Sequence, residues 1–496
     1  MTWDDENNRN FGLCTFQYVF STSSNLDCIQ REHGVIHSPF FELVLIGIEK
    51  GFHLTDTRTI YFARHLATFL LFYLGLIVFY RMTRFFLREW AHRMLACVLM
   101  ILTPRIFSDA FYNSVDIGAL VFFVFEFYSM LRFFEEPSKL RAVWHAFICA
   151  MAIDTRVTSV LVAAMTFAGF LPLLFPRQKD QPKGNRPTAP QFIVYGFSLG
   201  VFVIMFWPLL WKHPFSNILI ALNNTANFHS EYLEMQYLGR LIRHSPWHYN
   251  FVWMLVTIPI SYTIFFFFGI SQCVQRLVRN PQSAINRNAH HLALIVWFGL
   301  PLAGAVILKT DLYNAWRHHF FIYPAFLVLA VIGFRDACDY ARSKRNWLRP
   351  SLLFLIGVLV LADLGGVVSF MIRNHPYEHV YFNRIAGGVQ GAKRKFEMDY
   401  WVLSSRKILE YITATDPSPI ILIAANYPEF VLYNNALILP SAARERLRFV
   451  DKEEATYFIV LFNDLIINIP VEFRQPPTYS VRVDGVQLAA VYKRMS

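Results

Sequence analysis

The six cysteines of this 496-residue chain fall nowhere in CxxC spacing, so no zinc ribbon or dithiol redox motif is written into it. No basic stripe interleaved with aromatic residues stands apart from the apolar runs, which excludes a nucleic-acid-binding face despite a formal net charge of +11. No internal repeat is visible, which speaks against the repeat architecture of many secondary transporters. No signal peptide precedes the first apolar run. What fills the chain instead is apolar: 55% of residues are hydrophobic and 17% aromatic, with 49 phenylalanines. That is too apolar for a soluble protein and fits the membrane class.

Read in order, the first convincing span covers about residues 64–80. Others are expected near 91–104, 117–132, 143–155, 157–175, 192–211, 251–271, 291–309, 319–334 and 350–371, about ten in all, each approaching the roughly 20 residues that cross a bilayer. The earlier stretch 33–54 is interrupted by Glu42 and Glu49 and predicts an interfacial or re-entrant helix. Basic residues gather at Arg81, Arg84, Arg88 and Arg93, and again at Arg132, Lys139 and Arg141. They recur at Arg177, Lys179, Lys183 and Arg186, at Arg276, Arg279 and Arg287, and at Arg335, Arg342, Lys344, Arg345 and Arg349. Alternation puts all five groups on one side, and the excess of Lys and Arg in short loops makes that side cytoplasmic. The N-terminus is then extracytoplasmic. With no span before residue 64, a further helix upstream of Met1 is expected.

Three parts follow: an extracytoplasmic first loop (1–63), a transmembrane helical domain (64–371) and a small extracytoplasmic domain (372–496). Hydropathy drops after Met371. Residues 404–413 read as a helix, 420–424 and 457–461 as short buried strands. Asp484-Gly485 between 479–483 and 486–492 is a hairpin signal. The fold class is thus a polytopic α-helical membrane protein with a small C-terminal α/β or α+β domain. Cys97, Cys149 and Cys273 lie in or beside apolar runs and read as inert. Cys14 and Cys28 share one N-terminal segment and either pair, if it lies outside, or stay as free thiols.

The unusual polar residues near span ends all fall on the outer side. They are Asp4, Asp5 and Glu6; Arg105, Asp109, Asn113 and Asp116; Asp154 and Arg156; Trp211, Lys212 and His213; and the run Asp311 to His319. Cations and carboxylates collected at one membrane face suit an anionic lipid headgroup and a group that needs a base. Each has a plainer reading. Arg105 could snorkel to phospholipid phosphates, Asp154 and Arg156 could be an intramembrane ion pair, Tyr313, Trp316 and Tyr323 an aromatic belt, and the acidic cluster a solvated tail. Their coincidence on one face favours a site.

The motifs Thr2-Trp3-Asp4-Asp5-Glu6, Thr103-Pro104-Arg105-Ile106-Phe107, Phe111-Tyr112-Asn113-Ser114-Val115-Asp116, Trp207-Pro208-Leu209-Leu210-Trp211, Pro246-Trp247-His248-Tyr249, Tyr313-Asn314-Ala315-Trp316-Arg317-His318 and Phe396-Glu397-Met398-Asp399-Tyr400-Trp401 together resemble bacterial membrane glycosyltransferases of the GT-C superfamily. More narrowly, they are similar to the branch related to protein O-mannosyltransferases. The resemblance spans nearly the whole chain. It implies an enzyme of the bacterial inner membrane that moves a sugar from a polyprenyl-phosphate donor to an extracytoplasmic acceptor, whether protein, lipid or glycan. It also implies a general base at Asp4, with Asp5 beside it, a second acidic residue at Asp116, and one more helix at the start. Two positions depart from the family's pattern. Ser114-Val115 stands where Pro-Lys usually precedes the acidic residue, and Asp109 stands near a position usually held by His.

In chemical terms, the carboxylate of Asp4 would take the proton of an acceptor hydroxyl as it attacks the anomeric carbon. Arg317, Arg105, Lys212 or Arg156 would stabilise the departing phosphate, His318 would orient or protonate it, and Asn113 lies in the same loop. Attack opposite the phosphate inverts the anomeric centre. Asp4, Asp5 and Asp116 could also bind Mg²⁺ or Mn²⁺, although nothing in their spacing demands a metal. The rival readings are a lipid-linked sugar flippase or other transporter, and an inactive scaffold of envelope assembly.

Overall fold

The computed structural model describes residues 1–21, 40–169, 186–226, 234–279, 289–344, 348–462 and 467–495. Among the described residues six helices are long and apolar enough to cross a membrane: Thr57–Thr83, Ser114–Glu135, Ala189–Phe206, His290–Ile307, Arg317–Ser343 and Leu348–Asn374. That is the make-up of an integral membrane protein. Trp90–Ile101 and Val157–Ala168 are apolar but shorter; the 12 residues of the first rise only about 18 Å. The single span expected at 251–271 is two helices, Tyr249–Thr257 and Ile260–Arg279. Pro259 lies between them, offers no amide hydrogen and disfavours helical backbone in the residue before it. Of the positions singled out from sequence, Cys28, Arg177, Lys179, Lys183, Arg287 and Arg345 lie outside the described residues.

Burial separates the centre from the periphery. The most apolar windows of Ser114–Glu135 and Arg317–Ser343 are each 78% buried, whereas that of Leu348–Asn374 is 6% buried. The first two are therefore the core of the bundle, and the last turns most of its surface outward. Ile260–Arg279 docks on Tyr323–Ser343 so closely that a Cβ on Gly333 would lie 1.9 Å from the Phe265 carbonyl oxygen, and one on Gly269 2.0 Å from that of Leu329. Only glycine permits this approach of two backbones.

The acidic N-terminal stretch runs into a helix, Asp5–Phe20, which packs on Phe40–Gly51. The latter is the short helix expected within 33–54, and its two interrupting glutamates turn inward. Glu49 receives Arg9 Nε at 2.9 Å and Nη2 at 2.7 Å. Glu42 pairs with Arg64 and accepts the Ser114 hydroxyl at 2.6 Å. Two buried carboxylates thus rivet the N-terminal helix, through Phe40–Gly51, to Thr57–Thr83 and to the first turn of Ser114–Glu135. Cys14 is disulfide-bonded, and Cys97, Cys149, Cys273 and Cys338 are free and buried.

A two-stranded ribbon, β1 (Met235–Tyr237) and β2 (Arg240–Ile242), lies between the helices. The C-terminal sheet has β3 (Ile421–Ala425), β4 (Leu447–Phe449), β5 (Tyr457–Leu461), β6 (Tyr479–Val483) and β7 (Val486–Lys493) in the order β4-β3-β5-β7-β6. β3 pairs in parallel with β4 and β5, and β7 antiparallel with β5 and β6. Asp484 (φ 42°) and Gly485 (φ 80°) turn the last hairpin with the two positive angles that a type I′ turn needs. The helix Ser404–Thr415 packs against this sheet.

Candidate active site

The two central helices meet the N-terminal segment at one end of the bundle. Asn113 caps Ser114–Glu135: its Oδ1 accepts the Asp116 amide at 3.0 Å, which places Asp116 in the first turn. Arg317 sits in the 3₁₀ turn that opens Arg317–Ser343. Its Nη1 lies 3.2 Å from Asp4 Oδ2 and 3.2 Å from Asp116 Oδ2. Arg156, at the end of Lys139–Thr155, pairs with the other oxygen of Asp116. Four elements far apart in sequence therefore contribute two carboxylates and two guanidinium groups to one cluster. Arg132 closes the last turn of the helix that opens with Asp116, so this cluster and the first basic groups stand at opposite ends of one membrane-length helix, about 24 Å apart at 1.5 Å per residue.

Aromatic rings wall the cluster. The Arg317 guanidinium lies 4.6 Å from the Trp401 ring and 5.0 Å from that of Tyr313, a desolvated stacking that favours Arg over Lys. Trp401 also meets Trp3 at 6.3 Å and Tyr112 at 6.2 Å. Behind it, His379 bonds Asp399 at 2.8 Å, and Asp399 accepts the amides of Leu403 and Ser404, which pins the segment carrying Trp401 to the start of Ser404–Thr415. Burial raises the Asp4 carboxyl above the usual aspartate range, and Arg317 opposes the shift only in part. Asp5 behaves otherwise. Its burial is outweighed by His65, 3.6 Å away, and by the Thr2 amide at 2.7 Å, so its carboxyl falls below the usual value.

Of the sequence-derived candidates, Asp4, Asp116, Asn113, Arg156 and Arg317 are brought together. His318 is half-buried against Tyr313, with ring centroids 4.6 Å apart, and its Nδ1 has no partner among the described residues. Asp5 turns aside to His65, so the three aspartates considered for a cation do not converge, and no group of three metal-ligating side chains forms among the described residues. Arg105 is 1% exposed and caged by Trp253, Phe382 and Tyr400 at 5.2, 5.2 and 5.7 Å. Neither the snorkelling reading nor direct contact with a substrate fits so enclosed a cation. Lys212 is exposed and makes no ion pair among the described residues. Trp316 and Tyr323 form no lipid-facing belt, because both are 0% exposed and bond Thr257 and Thr103.

A cavity of about 610 Å³, to which none of the cluster's charged residues contributes, is lined chiefly by apolar side chains including Trp247, Phe251, Leu302 and Val306. Its polar lining includes Asn250, whose Nδ2 lies 2.9 Å from His319 Nδ1 and whose buried Oδ1 has no partner among the described residues. Asp311, bonded to His244 at 3.0 Å, stands in the same wall. The roles of Trp401 and Asp109 were missed from sequence. The Phe396–Trp401 motif flagged that segment, but nothing in it says which ring meets Arg317.

No family model matches the sequence, and no curated protein matches it by sequence. Fourteen solved chains match its structure. One is the archaeal oligosaccharyltransferase AglB from Archaeoglobus fulgidus in complex with an inhibitory peptide and a dolichol-phosphate: 10% identity, TM-score 0.46, 86% of this chain and 61% of that one. Another is ArnT from Cupriavidus metallidurans bound to undecaprenyl phosphate: 12% identity, TM-score 0.44, 92% of this chain and 88% of that one. The chain spans about three fifths of the length of the oligosaccharyltransferase. Likeness at this level carries no argument about this chain.

Proposed function

We propose that this protein is a membrane glycosyltransferase of the GT-C type that moves a sugar from a polyprenyl-phosphate carrier to an acceptor on the extracytoplasmic face. The observation that carries the reading is Arg317 held between Asp4 and Asp116, with Arg156 on the far oxygen of Asp116. Sidedness supports it, since the cluster lies at the end of the bundle remote from Arg84, Arg132 and Arg141, whose loops the positive-inside rule assigns to the cytoplasm. The disulfide at Cys14, on the N-terminal helix, suits an oxidising outer compartment. The division at about residues 63 and 371 follows from the same topology.

In this reading Asp4 is the general base. It takes the hydroxyl proton of the acceptor while that oxygen attacks the anomeric carbon, the carbon–oxygen bond to phosphate breaks, and polyprenyl phosphate leaves with the electron pair. A positioned base typically contributes about 10²- to 10⁴-fold. Arg317 and Arg156 meet the phosphate where its charge grows. An arriving phosphate draws the charge of Arg317 away from Asp4, and Asp4, already raised by burial, becomes a stronger base when the donor is in place. His318 orients the phosphate, and the apolar cavity beside Asn250 receives the isoprenoid chain.

The test is purified full-length protein in detergent with undecaprenyl-phosphate-linked sugars and a membrane extract as acceptor source, followed by mass spectrometry. A new glycosidic bond and released undecaprenyl phosphate are expected. Movement of intact lipid-linked sugar across reconstituted vesicles without bond formation would assign the protein to transport instead.

A further inference from the structure

Asp109 lies outside the cluster yet touches two of the side chains that build it. It ends the short helix Pro104–Asp109, is 0% exposed and makes no ion pair among the described residues. Its Oδ1 accepts Asn113 Nδ2 at 2.7 Å and Trp401 Nε1 at 3.1 Å. Asn113 Nδ2 also donates to Asp116 Oδ2 at 2.9 Å, and Trp401 lends its face to Arg317. One carboxylate oxygen thus fixes the residue that orients Asp116 and the residue that covers Arg317. Its other oxygen, Oδ2, is buried without a partner among the described residues.

We propose that Asp109 is a positioning residue whose charge, set by a proton it gains or loses, is transmitted through Trp401 and Asn113 to the Arg317–Asp116 pair. A neutral acid still accepts both hydrogen bonds on Oδ1, but more weakly than a carboxylate does, so the two anchors loosen when the proton is on. Burial first, then the negative charge of Asp116, pushes the Asp109 carboxyl up to about 6, against the opposing effects of Asn113, His379 and Trp401. The titratable and charged groups that act on it from all sides are Asp116 from the central helix, His379 and Tyr400 from the segment behind Trp401, and Arg105 and Tyr112 from its own neighbourhood. Arg105 sits one turn earlier on the same helix, where its hydrogen-bonding partner is the Tyr400 hydroxyl and not the Asp109 carboxylate. It therefore offsets the Asp109 charge through space without holding the proton off by contact. The effect on donor binding rests on the reading of Arg317 as the phosphate contact; the coupling of Asp109 to Trp401 does not.

Full-length protein carrying ¹⁵N-indole tryptophan tests the coupling without any ligand. The Trp401 indole signal, identified by its loss in Trp401→Phe, is expected to titrate with a midpoint near 6 and to stay fixed with pH in Asp109→Asn. The Arg317 Nε–H signal, read from ¹⁵N-arginine-labelled protein and identified by its loss in Arg317→Lys, is expected to show a component with the same midpoint in the wild type and to lose that component in Asp109→Asn, where only the titration of Asp4 is left. A pH-independent Trp401 signal in the wild type, or an Arg317 signal blind to that titration, overturns the proposal. Should Asp109→Asn fail to fold, Trp401→Phe supplies the check: losing its N–H moves the Arg317 midpoint to higher pH, and an unmoved midpoint overturns the proposal. Undecaprenyl phosphate binding then reads the consequence. The ratio of wild-type to Asp109→Asn Kd is expected to rise from about 1 at low pH to about three- to tenfold at high pH, as the ionised Asp109 tightens both anchors and holds Arg317 on Asp116 rather than on the phosphate, the ionisation of the lipid phosphate itself cancelling in the ratio. Tight binding with a flat ratio overturns the transmitted effect. No binding at any pH sinks the donor reading, and the tryptophan and arginine signals still decide the coupling.

Discussion

Two sets of arginine–carboxylate pairs among the described residues are built differently. Under the N-terminal helix each pair is private: Arg9 serves Glu49, and Arg64 serves Glu42. At the end of the central helices the charges are shared. One nitrogen of Arg317 serves both Asp4 and Asp116 at 3.2 Å, Asp116 also takes Arg156, and Arg317 Nε has no partner among the described residues. A private pair holds two elements together and has little to offer a third group. A shared cation can change partners when an anion arrives. The first set is therefore read as scaffold and the second as a site, and substitutions separate the two readings by what they damage.

The largest expected effect is on chemistry alone. Asp4→Asn removes the proposed base while keeping shape and hydrogen bonding, and transfer is expected to fall by about 10²- to 10⁴-fold with unchanged insertion and thermal stability. Wild-type turnover in this variant would move the base to Asp116 or Asp5. Next is the opposite kind of damage. Arg64→Ala strands Glu42, which is 6% exposed, and breaking a buried pair from one side costs about 3–5 kcal/mol. The expected readout is a large fall in the thermal midpoint and loss of protease resistance. If the stability were intact and only transfer suffered, the division between scaffold and site would be wrong.

Arg317→Met probes the shared cation and carries a pH signature. Donor affinity is expected to fall about tenfold or more, measured by binding of undecaprenyl phosphate, because a charge-assisted contact in a desolvated site is lost. The base works ionised, so transfer fails as pH drops through the Asp4 pKa, which burial already places above the usual 3.8. Arg317 holds that value down. Its removal is therefore expected to shift the acid limb of the residual rate to higher pH, and an unmoved limb would uncouple Arg317 from Asp4.

Much of the fold was readable before any coordinates, and the reasons are local. The Asp484-Gly485 turn, the buried strands β3 and β5, and the apolar runs that became membrane-length helices all depend on residues adjacent in sequence. The span at 251–271 was misread because hydropathy does not register the missing amide hydrogen of Pro259. The site was half readable. Residue type and sidedness picked out Asp4, Asp116, Arg156 and Arg317, since a charge at a membrane face needs a reason to be there. Direction was not readable: Asp4 and Asp5 are neighbours, and only the path of the helix Asp5–Phe20 sends one to Arg317 and the other to His65. Nor could sequence show that Arg105 would be sealed among three rings, because Trp253, Phe382 and Tyr400 come from segments far away in the chain.

The smallest expected effect marks the edge of the site. Lys212 was a reasonable phosphate contact from sequence, being a cation two residues after an apolar Pro-Leu-Leu turn on the outer side. In the structure its neighbours Trp211 and His213 are as exposed as it is, and the ordered contacts of this turn are structural: Trp211 Nε1 bonds the Ile204 carbonyl at 2.8 Å and Asn217 Nδ2 that of Leu209 at 2.6 Å. An exposed ammonium in water gains little from a distant phosphate, and salt screens that remainder beyond about 10 Å at 0.1 M. Lys212→Ala is therefore expected to leave the Kd for undecaprenyl phosphate within about twofold, with any change vanishing as ionic strength rises. A tenfold, salt-resistant loss would mean that this turn folds over the cluster when the donor binds, and the cations of the cluster would then number three rather than two.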